Sequence, residues 1–141
     1  MNPEASDLVE PLARAVRGYY DSLAAAAAAH GLSTTQARAL IALDTPLTMS
    51  ALAEHLVCDA SNATGLVARM ETRRLVVRTP SAQDRRSRTV TATEAGHQLA
   101  HRLRAEMHRV HAALAALTPT ERGALLPLLD RLGDLLADPR S

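Results

Sequence analysis

Seven arginines lie between positions 69 and 88, and only Glu71 and Asp84 oppose them, a local formal charge of +5. The remaining nine arginines face thirteen carboxylates, so the overall net charge of +1 conceals one basic stripe on a mildly acidic body. A guanidinium is planar, stays charged at any physiological pH and binds phosphate oxygens through paired N–H donors. Such a stripe at one place is the layout of a chain that touches a polyanion there, and nucleic acid is the first candidate. The chain has no lysine at all, a usage that reads mainly as genomic composition.

Other reactive side chains form weaker patterns. His97 and His101 stand four residues apart, a spacing that can put two imidazoles on one ion, and His108 and His111 follow closely. No carboxylate pattern matches them, so they read as solvated or packing histidines and no metal is assigned. Cys58 is the only cysteine and can form no internal disulfide; in a turn between two helices it reads as a buried structural thiol rather than a redox sensor. Arg17, Tyr19, Tyr20, His30 and Arg38 could line a pocket for an anionic aromatic molecule, although ordinary packing and surface charge explain them equally well. No nucleophile is accompanied by a base and an orienting group, and no glycine-rich phosphate loop occurs. The chain is therefore not read as an enzyme, and no cofactor is expected.

At 141 residues with 47% apolar composition the chain suits a single domain with its own core, built from Leu, Val, Ala and Met because Phe and Trp are absent. Its longest apolar run, Leu23 to Ala29, falls far short of the roughly 20 residues needed to cross a bilayer, so no membrane contact and a cytoplasmic location are expected. Apolar residues stepping by three and four from Leu8 to about His30, with Gly31 as a stop, predict a long amphipathic helix. Ser33-Thr34-Thr35-Gln36 has the form of a capping box opening a second helix to about Asp44. Thr48 or Ser50 can cap a short third helix, and Asp59 a fourth from Ala60 to about Arg73. Residues 75–79 and 87–92 read as a hairpin with a basic tip. A fifth helix is expected from Thr93-Glu94 to about Leu117. Thr118-Pro119-Thr120-Glu121 opens a sixth to about Ala137, bent at Pro127, whose leucines exceed what a lone helix can bury. Together with the first helix it is expected to pack on a second copy of the chain.

Helix, turn, helix and two-stranded hairpin form a winged helix-turn-helix, whose second helix lies in the major groove while the wing reaches the flanking backbone or minor groove. In the fourth helix Ser61, Asn62, Gly65 and Arg69 share one face, and Ala63, Val67 and Met70 share another that should be core. With this order of elements, the stretches Leu52-Ala53-Glu54-His55-Leu56, Leu66-Val67-Ala68-Arg69-Met70-Glu71, Leu75-Val76-Val77-Arg78, Asp84-Arg85-Arg86-Ser87 and Thr93-Glu94-Ala95-Gly96 resemble the MarR family of bacterial transcription regulators. The sharpest match is the wing pattern of Asp84, Arg86, Thr93 and Gly96, where Ala92 replaces the usual leucine. Gly65 and Arg74 depart from the family, the first where a groove-reading side chain is common and the second where glycine usually ends the recognition helix.

The resemblance implies a mainly α fold with a two-stranded β wing and long N- and C-terminal dimerisation helices. Residues of about 33–92 would form the DNA-binding lobe, and about 1–31 with 93–141 the dimerisation lobe. It implies a homodimeric, ligand-responsive repressor on a pseudo-palindromic duplex, contacting DNA through Ser61, Asn62, Thr64, Gly65, Arg69, Arg73, Arg74, Asp84, Arg85, Arg86 and Arg88. In that reading Arg86 enters the minor groove and Asp84 steadies it. A zinc- or redox-responsive regulator of the same fold, and a helical interaction module without DNA binding, are the competing readings.

Overall fold

The computed structural model describes residues 2–56, 60–81 and 87–137. The expectations placed on Cys58, Asp59, Asp84, Arg85 and Arg86 lie outside the described residues. The chain divides into two compact units, residues 1–107 and 108–141.

The first unit contains α1 (Ala5–Ala29), α2 (Thr34–Ala42), β1 (Leu47–Thr48), α3 (Met49–Leu56), α4 (Ala60–Thr72), β2 (Val76–Pro80), β3 (Arg88–Ala92) and α5 (Glu94–Ala105). Three of its helices, α2, α3 and α5, start where hydroxyls satisfy orphan amides. The Ser33 hydroxyl accepts from the Gln36 amide at 3.1 Å while the Gln36 side chain accepts from the Ser33 amide at 2.9 Å, and Thr48 accepts from the Ala51 amide at 3.1 Å. Each such cap is worth about 1 kcal/mol. The core gathers Leu23, Ala26 and Ala27 of α1, Ala37 and Leu40 of α2, Leu52 and Leu56 of α3, Ala63, Val67 and Met70 of α4, and Leu99 and Leu103 of α5. Small side chains dominate the facing stripes of α1 and α2, and the two helices pack together there. The N-terminal half of α1 does the opposite, leaving Leu8, Val9, Leu12 and Val16 exposed.

Two helices end through the same device. At the end of α1 the Leu32 amide donates to Ala27 O at 2.9 Å and the Gly31 amide to Ala28 O at 3.1 Å, with Gly31 at φ +67°. At the end of α4 the Leu75 amide donates to Met70 O at 3.0 Å and the Arg74 amide to Glu71 O at 2.8 Å, with Arg74 at φ +58°. Both are Schellman ends, which require a left-handed residue; glycine takes that conformation freely, and arginine pays roughly 1–2 kcal/mol.

The strained end of α4 is stapled to the start of α5. The Thr93 hydroxyl donates to Arg74 O at 2.7 Å and accepts from the Gly96 amide at 3.1 Å, while the Thr93 amide donates to Leu75 O at 3.0 Å. A Cβ at Gly96 would stand 2.1 Å from the Leu75 carbonyl oxygen, so only glycine fits. The threonine–glycine pair noted in the sequence is thus the joint between the end of α4 and the start of α5.

The hairpin forms as expected, with Val76 opposite Ala92 and Pro80 opposite Arg88. A third strand joins it: Leu47 and Thr48 pair with Val90 and Thr89, giving the order β1-β3-β2. Two residues show no alternation, so this strand leaves no trace in a sequence pattern.

The single fifth helix expected to about Leu117 is two. α5 ends at Ala105 with Glu106 as its C-cap, and α6 (His108–Ala116) begins the second unit. The Glu106 carboxylate is held by the His30 ring at 2.7 Å and Met107 is buried. Apolar residues keep their spacing across the break, which is why periodicity misses it.

The second unit is completed by α7 (Pro119–Ala137), continuous through Pro127. Its start is the expected capping box: the Thr118 amide donates to the Glu121 carboxylate at 2.7 Å and the Glu121 amide to the Thr118 hydroxyl at 3.2 Å. The Thr118 amide, and after it the hydroxyl, hold the Glu121 carboxyl below the ordinary carboxylate range. Arg122 donates to the carbonyls of Leu114, Ala115 and Leu117, closing the end of α6. No residue of α6 or α7 is buried. No described helix is long and apolar enough to cross a membrane.

Candidate nucleic-acid interface

The face of α4 that points away from the core carries the expected polar set. Ala63, Val67 and Met70 have no measurable exposure, and their burial fixes the rotation of the helix. Ser61, Asn62 and Thr64 are consequently exposed and Gly65 half-exposed. Four residues beyond Gly65, Arg69 folds back along the helix, its guanidinium 3.5 Å from where a Cβ at Gly65 would stand. Arg69 also lines a shallow cavity of about 300 Å³ with Ser33 and Thr35 of α2 and Asn62 and Leu66 of α4.

The remaining arginines of the stripe divide by environment. Arg73 donates to His30 O at 3.0 Å and Gly31 O at 3.1 Å, tying the end of α4 to the end of α1. Arg78 on β2 pairs with Glu71 at 2.8 Å, both side chains about one-third exposed. Arg74 and Arg88 are exposed, Arg74 on the left-handed residue after α4 and Arg88 at the start of β3. The Ser81 amide donates to Ser87 O at 2.9 Å, closing the hairpin stem below residues 82–86. Arg88, at the start of β3, lies on the same side of the strand as buried Val90 but is itself exposed.

Among the residues offered for an anionic aromatic molecule, three come together. Tyr19 and Tyr20 meet edge to face at 5.3 Å between ring centres, and the Arg38 guanidinium lies 5.2 Å from the Tyr20 ring centre, a cation–π arrangement. They border a small cavity of about 70 Å³ with Leu23, Ile41 and His55. Arg38 also donates to His55 O at 3.4 Å. Arg17 pairs instead with Glu10 at 3.0 Å on the exposed side of α1, and His30 with Glu106, so neither lines that cavity. His55 was missed because nothing local in α3 signals that its end meets α1 and α2.

His97 and His101 do share one face of α5, where they border a shallow depression with Glu94, Gln98 and Arg102. His108 and His111 lie on α6 and are exposed. Among the described residues no three of the His, Cys, Asp and Glu side chains are placed to hold one metal ion.

A helix pair whose second member shows a polar outer face, followed by a hairpin pinned to that helix, is a winged helix-turn-helix. Residues 30–87 match the model of the MarR family. Residues of the chain are 40% identical over a stretch of 76, half of this chain, to the transcriptional activatory protein BadR of Rhodopseudomonas palustris. That match spans 43% of BadR, less than half its length. The fold overlays a MarR-family regulator from Silicibacter pomeroyi with a TM-score of 0.72 at 28% identity, covering 92% of this chain and 94% of the other. It also overlays NadR in complex with 4-hydroxyphenylacetate with a TM-score of 0.79 at 22% identity, covering 98% of both chains. The chain thus carries the MarR-family pattern over residues 30–87 and shares the fold of a MarR-family transcription regulator.

Proposed function

We propose that the chain is a sequence-specific, double-stranded DNA-binding regulator that acts in the cytoplasm as a ligand-responsive homodimeric repressor. The observation that carries this reading is the rotation of α4: Ala63, Val67 and Met70 are wholly buried, so Ser61, Asn62, Thr64 and Gly65 must face outward. Side chains in the first turns of such a helix meet base edges in the major groove. Arg69, Arg74 and Arg88 supply phosphate contacts beside them, and Asp84, Arg85 and Arg86 belong to the wing tip that reaches the next groove. Arg73 acts by holding α4 against α1 rather than by reading DNA.

In this reading about residues 33–92 form the DNA-binding lobe and about 1–31 with 93–141 the dimerisation lobe. The exposed leucines of α7 and the exposed stripe Leu8, Leu12 and Val16 of α1 support a second copy as the partner, because a monomer in water gains nothing by displaying them. Two-fold symmetry then requires a pseudo-palindromic operator with half-sites about one helical turn apart.

The effector reading rests on Tyr19, Tyr20 and Arg38, two aromatic faces and a cation beside one cavity, which suit a small aromatic anion. NadR, which shares the fold, holds such a molecule in its crystal structure.

Fluorescence anisotropy with duplex DNA from the chain's own upstream region and a scrambled control, at several salt concentrations, tests the proposal. Tight binding to the first duplex alone, falling linearly in log–log form with salt, is the expected result. No binding to either duplex at low salt would replace it with the interaction-module reading. A reporter assay reads the sign of control, which the name of BadR would set as activation.

A further inference from the structure

The cavity shared by Ser33, Thr35, Asn62, Leu66 and Arg69 lies outside the helix-turn-helix pair on one side, since Ser33 and Thr35 belong to the start of α2. Its polar lining is rich in donors: two hydroxyls, a side-chain amide and a guanidinium. The Ser33 oxygen accepts from the Gln36 amide, which leaves its proton to be given outward. Among the described residues no carboxylate lines the cavity, and Glu71, within α4, is engaged with Arg78. A concave donor set without an acid fits an anion with several acceptor oxygens. Asn62 and Arg69 also lie on the outer face of α4 that carries the groove-reading residues, so the anion that reaches this cavity during DNA binding is the backbone beside that groove.

We infer that Ser33 and Thr35 of α2, with Asn62 and Arg69 of α4, seat one phosphate of the duplex backbone, so that α2 sets the register of the recognition helix in the groove. The inference rests on the DNA-binding reading above. Phosphate contacts carry register rather than sequence information, so their loss weakens binding to every duplex alike.

Thr35→Asp is the sharpest probe. An acid in the first turn of a helix is favourable, so α2 should form as before while the seat turns anionic. In anisotropy titrations against the upstream duplex and an unrelated duplex, it should lower affinity for both by about tenfold or more, with unchanged circular dichroism. Arg69→Ala should reduce the slope of log affinity against log salt by about one. Duplexes carrying a single neutral methylphosphonate should include one position that weakens the wild-type protein but not Arg69→Ala. If the wild type binds and Thr35→Asp binds equally tightly, or if no methylphosphonate position separates wild type from Arg69→Ala, the phosphate seat is overturned alone. If the wild type binds no duplex, the DNA-binding reading falls and takes this inference with it.

Discussion

Residues 1–107 and residues 108–137 use leucine in opposite ways. The first unit hides Leu23, Leu40, Leu43, Leu52 and Leu103 almost completely, whereas α7 leaves Leu126, Leu128, Leu129, Leu135 and Leu136 at 50% exposure or more. Burying a leucine contributes about 1.5–3 kcal/mol, so the first unit holds its stability within one chain. The second holds only its helix caps, and its apolar surface is stabilisation still to be gained. The lesson is that one amino-acid type, at one spacing, can specify either a buried core or an exposed apolar face, and that burial tells them apart.

Breaking the proposed interface should have the largest effect. Leu126→Glu combined with Leu129→Glu places charges in the apolar depression that these two residues line with Leu114, Arg122 and Leu125, and light scattering should show the mass halved. Operator affinity should fall at least 100-fold, because two half-sites would no longer be bound together. Next comes a truncation at the two sites. Leu40→Ala in the core should cost about 2–5 kcal/mol by urea denaturation. Leu128→Ala, made in the monomeric Glu-substituted background, should change stability by less than about 0.5 kcal/mol. Equal costs would mean that the two units do not differ as described.

Gly96→Ala tests the joint inside the first unit, and its clash with the Leu75 carbonyl should cost about 1–3 kcal/mol and lower the melting temperature. Arg74→Gly works the other way, relieving the left-handed arginine and raising stability by roughly 0.5–1 kcal/mol in the same assay, at the loss of one exposed cation. The smallest effect belongs to the second unit. The folded state lowers the Glu121 carboxyl below its unfolded value, so its contribution is present above the ordinary carboxylate range and fades as pH falls through the lowered value. Glu121→Gln should flatten that acid limb in a series of thermal melts without shifting the melting temperature near neutrality by much.

Much of this architecture is legible in the chain because it depends on local chemistry. Ser33 with Gln36, Thr118 with Glu121 and the stop at Gly31 are decided within four or five residues, and each stands where the pattern puts it, while the left-handed turn at Arg74 is one of two ways the sequence allows that helix to end. The division of α4 into a buried Ala63–Val67–Met70 stripe and a polar face follows from helical spacing alone. What stayed hidden is non-local. β1 has two residues and needs β3 to exist, and Glu106 at the break is met by His30, 76 residues away. Arg73 looked like another member of the basic stripe, and only the tertiary fold shows it seated on the carbonyls of α1. His55 and Thr35 likewise join their cavities through helix packing that no spacing rule encodes.

His30 deserves to be followed one step further, because its ring meets Glu106 while its carbonyl, with that of Gly31, receives Arg73. The ends of α1, α4 and α5 therefore share one knot. Two guanidinium bonds of this kind contribute roughly 3 kcal/mol together at the low end for charged donors, as befits their exposed position. That sum sets the largest signal the knot can relay: a displacement of α1 that demanded more would break the bonds and leave α4 behind. In the reading proposed above, a ligand that displaced α1 would pass at most that sum on to α4, a change of about 5- to 150-fold in affinity.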